Sequence, residues 1–174
     1  MPTIGHAEGG EVRVFTFKEG LLSAVAHDLE LAVERFSLTW DDARTRVSAT
    51  FDATSVRVLH PVVHGRPSPG TLSARDLAKI EGNVASDVLR TRAHPEASFE
   101  SSSVRAEGEG FLVRGTLTLV GRSAGIDAHV RREGARWVTE VVLDQTRWGI
   151  TPYSAMMGTL KIKPEIRVRL SVPA

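Results

Sequence analysis

Along most of this chain apolar and polar side chains alternate with a period of two, and that limits what it can fold into. In residues 111–119, Phe111, Val113, Leu117 and Leu119 fall on one face and Arg114, Thr116 and Thr118 on the other. Ile166, Val168, Leu170 and Val172 alternate with Arg167, Arg169 and Ser171. Trp137, Thr139, Val141 and Leu143 alternate with Val138, Glu140, Val142 and Asp144. A strand turns successive side chains to opposite faces, so these runs read as antiparallel strands with one face in an apolar interior.

Turn chemistry separates the runs. Glu107-Gly-Glu-Gly110, Gly121 to Gly125 and Glu133-Gly-Ala are short glycine-containing connections of the kind that join consecutive hairpins. Near the start, Phe15 and Phe17 share a face with Arg13. Leu29, Leu31 and Val33 keep one phase and Phe36, Leu38 and Trp40 the opposite one, which predicts a bulge or sharp bend at Glu34-Arg35. Val47, Ala49 and Phe51 form the next inward set, for about eight strands in all. One segment departs from the pattern. Ser73-Ala-Arg-Asp76 reads as a capping box with Leu72 and Leu77 as its staple, and Leu77, Ile80, Val84 and Val88 follow at helical spacing. A single amphipathic helix is expected over residues 74–90, weakened by Gly82-Asn83 and dependent on packing against the strands. Before it, His60-Pro-Val-Val-His-Gly-Arg-Pro-Ser-Pro-Gly70 reads as a Pro/Gly-rich loop, the segment expected to move most.

Composition narrows the function. Lys plus Arg number 22 and Asp plus Glu 21, a net charge of +1 that gives no global attraction for nucleic acid or an anionic membrane. There is no cysteine, so thiol catalysis, disulfides and thiolate metal sites are excluded. The first ten residues have neither the basic start nor the apolar stretch of a secretory signal, and a cytoplasmic location is the expectation. The 174 residues suit one domain, structured over about residues 11–172. With no long parallel crossover, the all-β pattern leaves a closed barrel or a two-sheet sandwich.

Several segments together resemble the YceI-like family. They are Ala53-Thr-Ser-Val56, Asp87-Val-Leu89, His94-Pro-Glu-Ala-Ser-Phe-Glu-Ser-Ser-Ser-Val104 and Gly115-Thr-Leu-Thr-Leu-Val-Gly121, in family order from about Glu11 to Val172. The stretch from Trp148 to Lys161 is similar to some cytosolic-type members. The resemblance implies a lipocalin-like antiparallel β-barrel with one inserted helix, whose tunnel accommodates a polyisoprenoid chain such as an isoprenoid quinone tail. Two features depart from the family. The first residues do not resemble the signal peptide of many members, so a chain without one is expected, and the usual Gly-Val-Thr-x-Pro turn is here Gly121-Arg-Ser-Ala-Gly125.

The expected tunnel wall is the inward set. It takes Phe15 and Phe17 from the first long strand, then Phe36, Phe51 and Phe99. Phe111, Leu117 and Leu119 follow, and Trp137, Val141 and Leu143 complete it. The same side chains could instead fill a solid barrel. His27-Asp28, where the chain enters the second long strand, could contact a ligand's head group or form a turn with Asp28 capping backbone N–H groups. His60 and His64 flank proline in the expected loop, with His94 as a distant third, which does not meet the usual zinc spacing. Ser154-Ala-Met-Met-Gly158 could form a flexible lip or an end cap. No phosphate loop, nucleophile elbow or zinc-protease motif is present.

Three readings follow. The first is a carrier whose partner is an apolar small molecule, with no cofactor beyond a bound isoprenoid lipid or quinone. It involves neither nucleic acid nor a transmembrane segment, and a homodimer is compatible with it. The second is a small enzyme or metal protein using His27 and Asp28 or the His60/His64 loop. The third is an interaction module built on a solid barrel.

Overall fold

A computed structural model describes residues 2–19, 27–158 and 160–174. The first half of the chain forms β1 (Thr3–Ile4), β2 (Glu11–Lys18), β3 (Asp28–Val33), β4 (Phe36–Trp40), β5 (Val47–Asp52), β6 (Val56–Val63) and β7 (Arg66–Pro67). Helix α1 (Ala74–Asn83) follows. The second half forms β8 (Glu96–Glu107), β9 (Gly110–Leu119), β10 (Arg122–Glu133), β11 (Arg136–Asp144), β12 (Ser154–Ala155) and β13 (Leu160–Pro173). From β8 to β11 the chain is a plain meander, and β13 then pairs back onto β11.

The sheet closes through two bent strands. β3 continues past a corner at residues 34–35 as β4, and β5 continues past a 3-10 turn at Ala53–Ser55 as β6. β3 pairs with β6, and β4 with β5. The bent hairpin then joins both ends of the meander, because β3 also pairs with β2 and β5 with β8, while β2 pairs with β13. Counting each bent pair once, the long antiparallel runs make an eight-membered curled sheet. This is the lipocalin-like architecture, and the phase slip at Glu34-Arg35 is its corner.

Polar groups fasten that corner. Arg35 Nε donates to Asp52 Oδ2 (2.8 Å), and the Thr54 amide donates to Asp52 Oδ1 (2.9 Å). The fully buried Ser55 hydroxyl accepts from the Arg35 amide (2.9 Å) and donates to the Asp52 carbonyl (2.7 Å). A bend frees backbone groups from the ladder, and buried polar groups must find other partners.

Where β6 parts from β8, α1 covers the gap. Ser73 and Asp76 form the expected capping box, with both reciprocal bonds at 3.1 Å. Leu72, Leu77, Ile80 and Val84 pack on Leu29, Leu31 and Val58. Glu81 Oε1 accepts from the Val58 amide (3.1 Å). The helix differs from expectation at its end: the α-helical part stops at Asn83 and a π turn occupies Val84–Val88. Gly82 is weak in a helix, and the Ser86 hydroxyl bonds back to the Gly82 carbonyl (3.0 Å), a contact that loosens the regular ladder.

The expected loop over residues 60–70 is corrected in its first part. His60 and Pro61 belong to β6, and His64 and Gly65, with φ of 51° and 74°, make the two-residue turn into β7. Pro61 stands opposite Leu29, and the β3–β6 register shifts two residues earlier, at Leu59, between Glu30 and Leu31. A further cluster lies under the β9–β10 end. Trp148 is 1% exposed, and its indole N–H donates to the Leu117 carbonyl (2.8 Å).

Candidate functional site: the barrel interior

The barrel is hollow. Its interior holds a cavity of about 700 Å³, within the range of small-molecule sites. Each long strand contributes its inward phase. Val12, Val14 and Thr16 come from β2, Leu29, Leu31 and Val33 from β3, and Leu38 and Trp40 from β4. Val47, Ala49 and Phe51 come from β5, and Ile166, Val168, Leu170 and Val172 from β13. Leu72, Ile80 and Val84 close the side where α1 packs.

Most of the expected wall residues line this space. Phe51, Phe99, Phe111, Leu117, Leu119, Trp137, Val141 and Leu143 all do. Phe99 is 8% exposed and its ring lies over Gly115, where a Cβ would stand 2.5 Å from it. At the end formed by the β8–β9 and β10–β11 turns, Phe111 meets Trp137 edge-on, with centroids 5.5 Å apart. The Arg44 guanidinium, in the β4–β5 connection, lies 5.7 Å from the Phe111 ring centre and also borders the cavity.

Three expected wall residues are placed elsewhere. Phe15 and Phe17 are on the outer face of β2, in phase with Arg13, and Arg167 covers the Phe17 ring at 5.8 Å. The inward phase is the other one, whose Val12 is 2% exposed. Phe36 has the inward phase of β4 but lies beyond the cavity. Its ring stacks with Phe51 at 6.4 Å and abuts Gly10.

The opposite end is the polar one. His27, Asp76, Lys79, Asn83, Gln145 and Tyr153 border the cavity there. Asn83 Nδ2 donates to the Tyr153 hydroxyl (3.1 Å), linking α1 to the segment before β12. Gln145 Nε2 donates to the Lys163 carbonyl (3.0 Å). Asp76 is held below the ordinary carboxylate range, first by its bonds to Ser73 and then by the charges of Arg75 and Lys79. The expected pair His27 and Asp28 divides: His27 borders the cavity, while Asp28 accepts from the Lys18 amide (2.8 Å), a turn role. Met157 is fully exposed, and the Met156 side chain is outside the described residues. Asn83 and Tyr153 went unseen in the sequence because 70 residues separate them, with no spacing rule to join them.

The histidines lie apart. His60 Nε2 is 3.0 Å from Glu30 Oε2 on the outer face, close but without hydrogen-bond alignment. His64 is exposed in its turn, and His94 stands against Gly121. Among the described residues no three His, Asp or Glu side chains gather as metal ligands, and no helix is long and apolar enough to cross a membrane.

The fold and its cavity define a hollow, lipocalin-like antiparallel barrel with an apolar wall and one polar rim. Solved structures with the same fold include BcnA of Burkholderia cenocepacia, 19% identical, covering 95% of this chain and 96% of that one, with a TM-score of 0.65. A polyisoprenoid-binding domain from Saccharophagus degradans is 15% identical over 96% and 95% of the two chains, with a TM-score of 0.60. The Campylobacter jejuni YceI protein is 14% identical over 83% and 82%, with a TM-score of 0.57. No curated protein matches the chain in sequence. The chain belongs to the YceI-like domain family, which it matches over residues 10–174.

Proposed function

We propose that the protein binds and carries a long apolar molecule, such as a polyisoprenoid or an isoprenoid quinone, laid along the barrel interior. The observation that carries this reading is the cavity of about 700 Å³ walled by inward apolar side chains from β2 to β13. A ligand of roughly 30 heavy atoms gaining about −0.3 kcal/mol per atom reaches about −9 kcal/mol, enough for sub-micromolar binding without any ionic contact. A neighbour of the same fold described as polyisoprenoid-binding supports the choice of ligand class. Binding without catalysis is favoured because the polar wall side chains of Asp76, Asn83 and Gln145 are engaged with the protein's own groups and form no nucleophile–base pair.

The test is mass spectrometry of an organic extract of the purified protein. An isoprenoid lipid or quinone in near-stoichiometric amount is expected. An extract free of lipid, together with no uptake of an added C20 isoprenoid by the extracted protein, overturns the reading.

A further inference from the structure

Four lysines occur in the chain, Lys18, Lys79, Lys161 and Lys163, and the fold gathers all of them at the polar end of the barrel. Lys18 ends β2 in register with Ile162, the residue between Lys161 and Lys163 at the start of β13. Lys79 borders the cavity from α1. Tyr153 joins the two places, since its hydroxyl accepts from Asn83 Nδ2 (3.1 Å) and its carbonyl from the Ile162 amide (3.0 Å). All four lysines are exposed. Among the described residues the ion pairs use arginine and histidine as their cations and no lysine.

Exposed apolar side chains share this end. Val63, Val142 and Met157 are the large apolar residues most open to solvent, and two of them are here. Val63 ends β6 just past the Asp28–Val62 pair, and Asp28 in turn holds the Lys18 amide. Met157, fully exposed, stands in a turn with φ of 56°, and Lys161 lies beside the next residue, with its Cε 3.4 Å from where a Gly158 Cβ would be. The carboxylates set among the lysines are Glu19, Asp28, Asp76 and Glu165, of which Asp28 and Asp76 accept from backbone amides. Arg66 and Arg75 add two further cations, so the patch is positive although the whole chain is almost neutral.

We propose that this end of the barrel is a docking surface for an anionic lipid bilayer. Met157 enters the interface, and the lysines stand against the lipid phosphates. Unpaired cations within a Debye length of such a surface are drawn to it, and an exposed apolar side chain among them gains by leaving water. That apolar tip favours a bilayer over a nucleic acid, whose phosphate backbone offers it nothing to enter. Docked this way, the cavity's polar rim faces the membrane. The proposal goes beyond the carrier reading and stands on exposure and charge, so it is tested whether or not an isoprenoid is taken up.

The test is co-sedimentation of the lipid-extracted full chain with two kinds of vesicle. One is phosphatidylcholine alone and the other equal parts phosphatidylcholine and phosphatidylglycerol. Binding to the second and not the first is expected, with release as sodium chloride is raised. Lys161→Gln with Lys163→Gln should weaken it about 25-fold, on the order of fivefold per lysine. Met157→Ser should weaken it about fivefold, as for partial burial of one apolar side chain. Arg46→Gln with Arg105→Gln removes the same charge from exposed positions at the opposite end and should leave binding unchanged. Equal losses in the two double variants, or equal binding to both vesicles, overturn the proposal. So does no binding to either vesicle, and a DNA duplex held at the same salt, or self-association, would then assign the patch to that partner.

Discussion

Gly115 shows how a single missing side chain shapes the cavity. It has the inward phase of β9, between Val113 and Leu117, yet the Phe99 ring from the neighbouring strand occupies its place. A Cβ there would stand 2.5 Å from the ring and 2.3 Å from the Glu100 carbonyl oxygen, which is backbone and cannot swing aside. Two effects compete in Gly115→Ala. Replacing glycine within a strand ordinarily gains about 0.5–1 kcal/mol from chain entropy. Overpacking against a fixed backbone costs about 1–3 kcal/mol. The clash should win, lowering the urea midpoint without changing the slope. A raised midpoint would show that the ring and strand yield freely. Residues are also where the sequence misleads. Phe15 and Phe17 are large and apolar and so look like wall residues, but their phase partner Arg13 marks the outer face. Inside, α1 already brings Ile80 and Val84 toward β2 and β3. Slender Val14 packs there, and the phenyl rings lie outside.

Among the elements, the two bent strands depend on a small polar knot. Asp52 has its pKa lowered, first by the Thr54 hydroxyl and then by Arg35. A carboxylate with a lowered folded-state value stabilises the fold above its ordinary value of 3.8, and that contribution is lost as pH falls through the lower folded value. Asp52→Asn should therefore lose about 0.5–1 kcal/mol at neutral pH, the scale of an exposed ion pair. Its stability should also depend less on pH below 3.8 than the parent's. Urea titrations at a series of acid pH values read this, and parallel curves for the two proteins would show that Asp52 does not act through its charge. The bend itself was legible as a phase slip, and α1 as a capping box, because both are local patterns. The extent of β6 was not. Proline and glycine between 60 and 70 signal a loop, and only pairing with β3 on one side and β7 on the other, a property of several strands together, carries β6 through Pro61 to Val63.

For the whole molecule, the hollow interior ties stability to occupancy. A barrel with about 700 Å³ unfilled lacks the contacts a solid core would make, and a ligand that binds only the folded state adds free energy by mass action. At a hundred times its dissociation constant, geranylgeraniol should add about 2.7 kcal/mol to the extracted protein, a rise of roughly 5–10 °C in Tm. Calorimetry of the extracted and reloaded chain measures it. Saturating uptake with no rise would place the ligand on the surface rather than inside.

The pairing of β2 with β13 has a kinetic consequence as well. Those strands come from the two ends of the chain, so Glu11 meets Ser171 and Pro173 rests against Gly9. Almost the entire polypeptide is the loop that this contact closes. The meander from β8 to β11 can assemble from neighbours in sequence, and so can the bent hairpin, but the seam must wait until both are in place. Loop-closure entropy is met before that pairing contributes anything, and folds dominated by such distant contacts form in milliseconds to seconds. Until the seam zips, both terminal strands present unpaired edges, and a newly made chain is open to strand exchange with its neighbours during that interval.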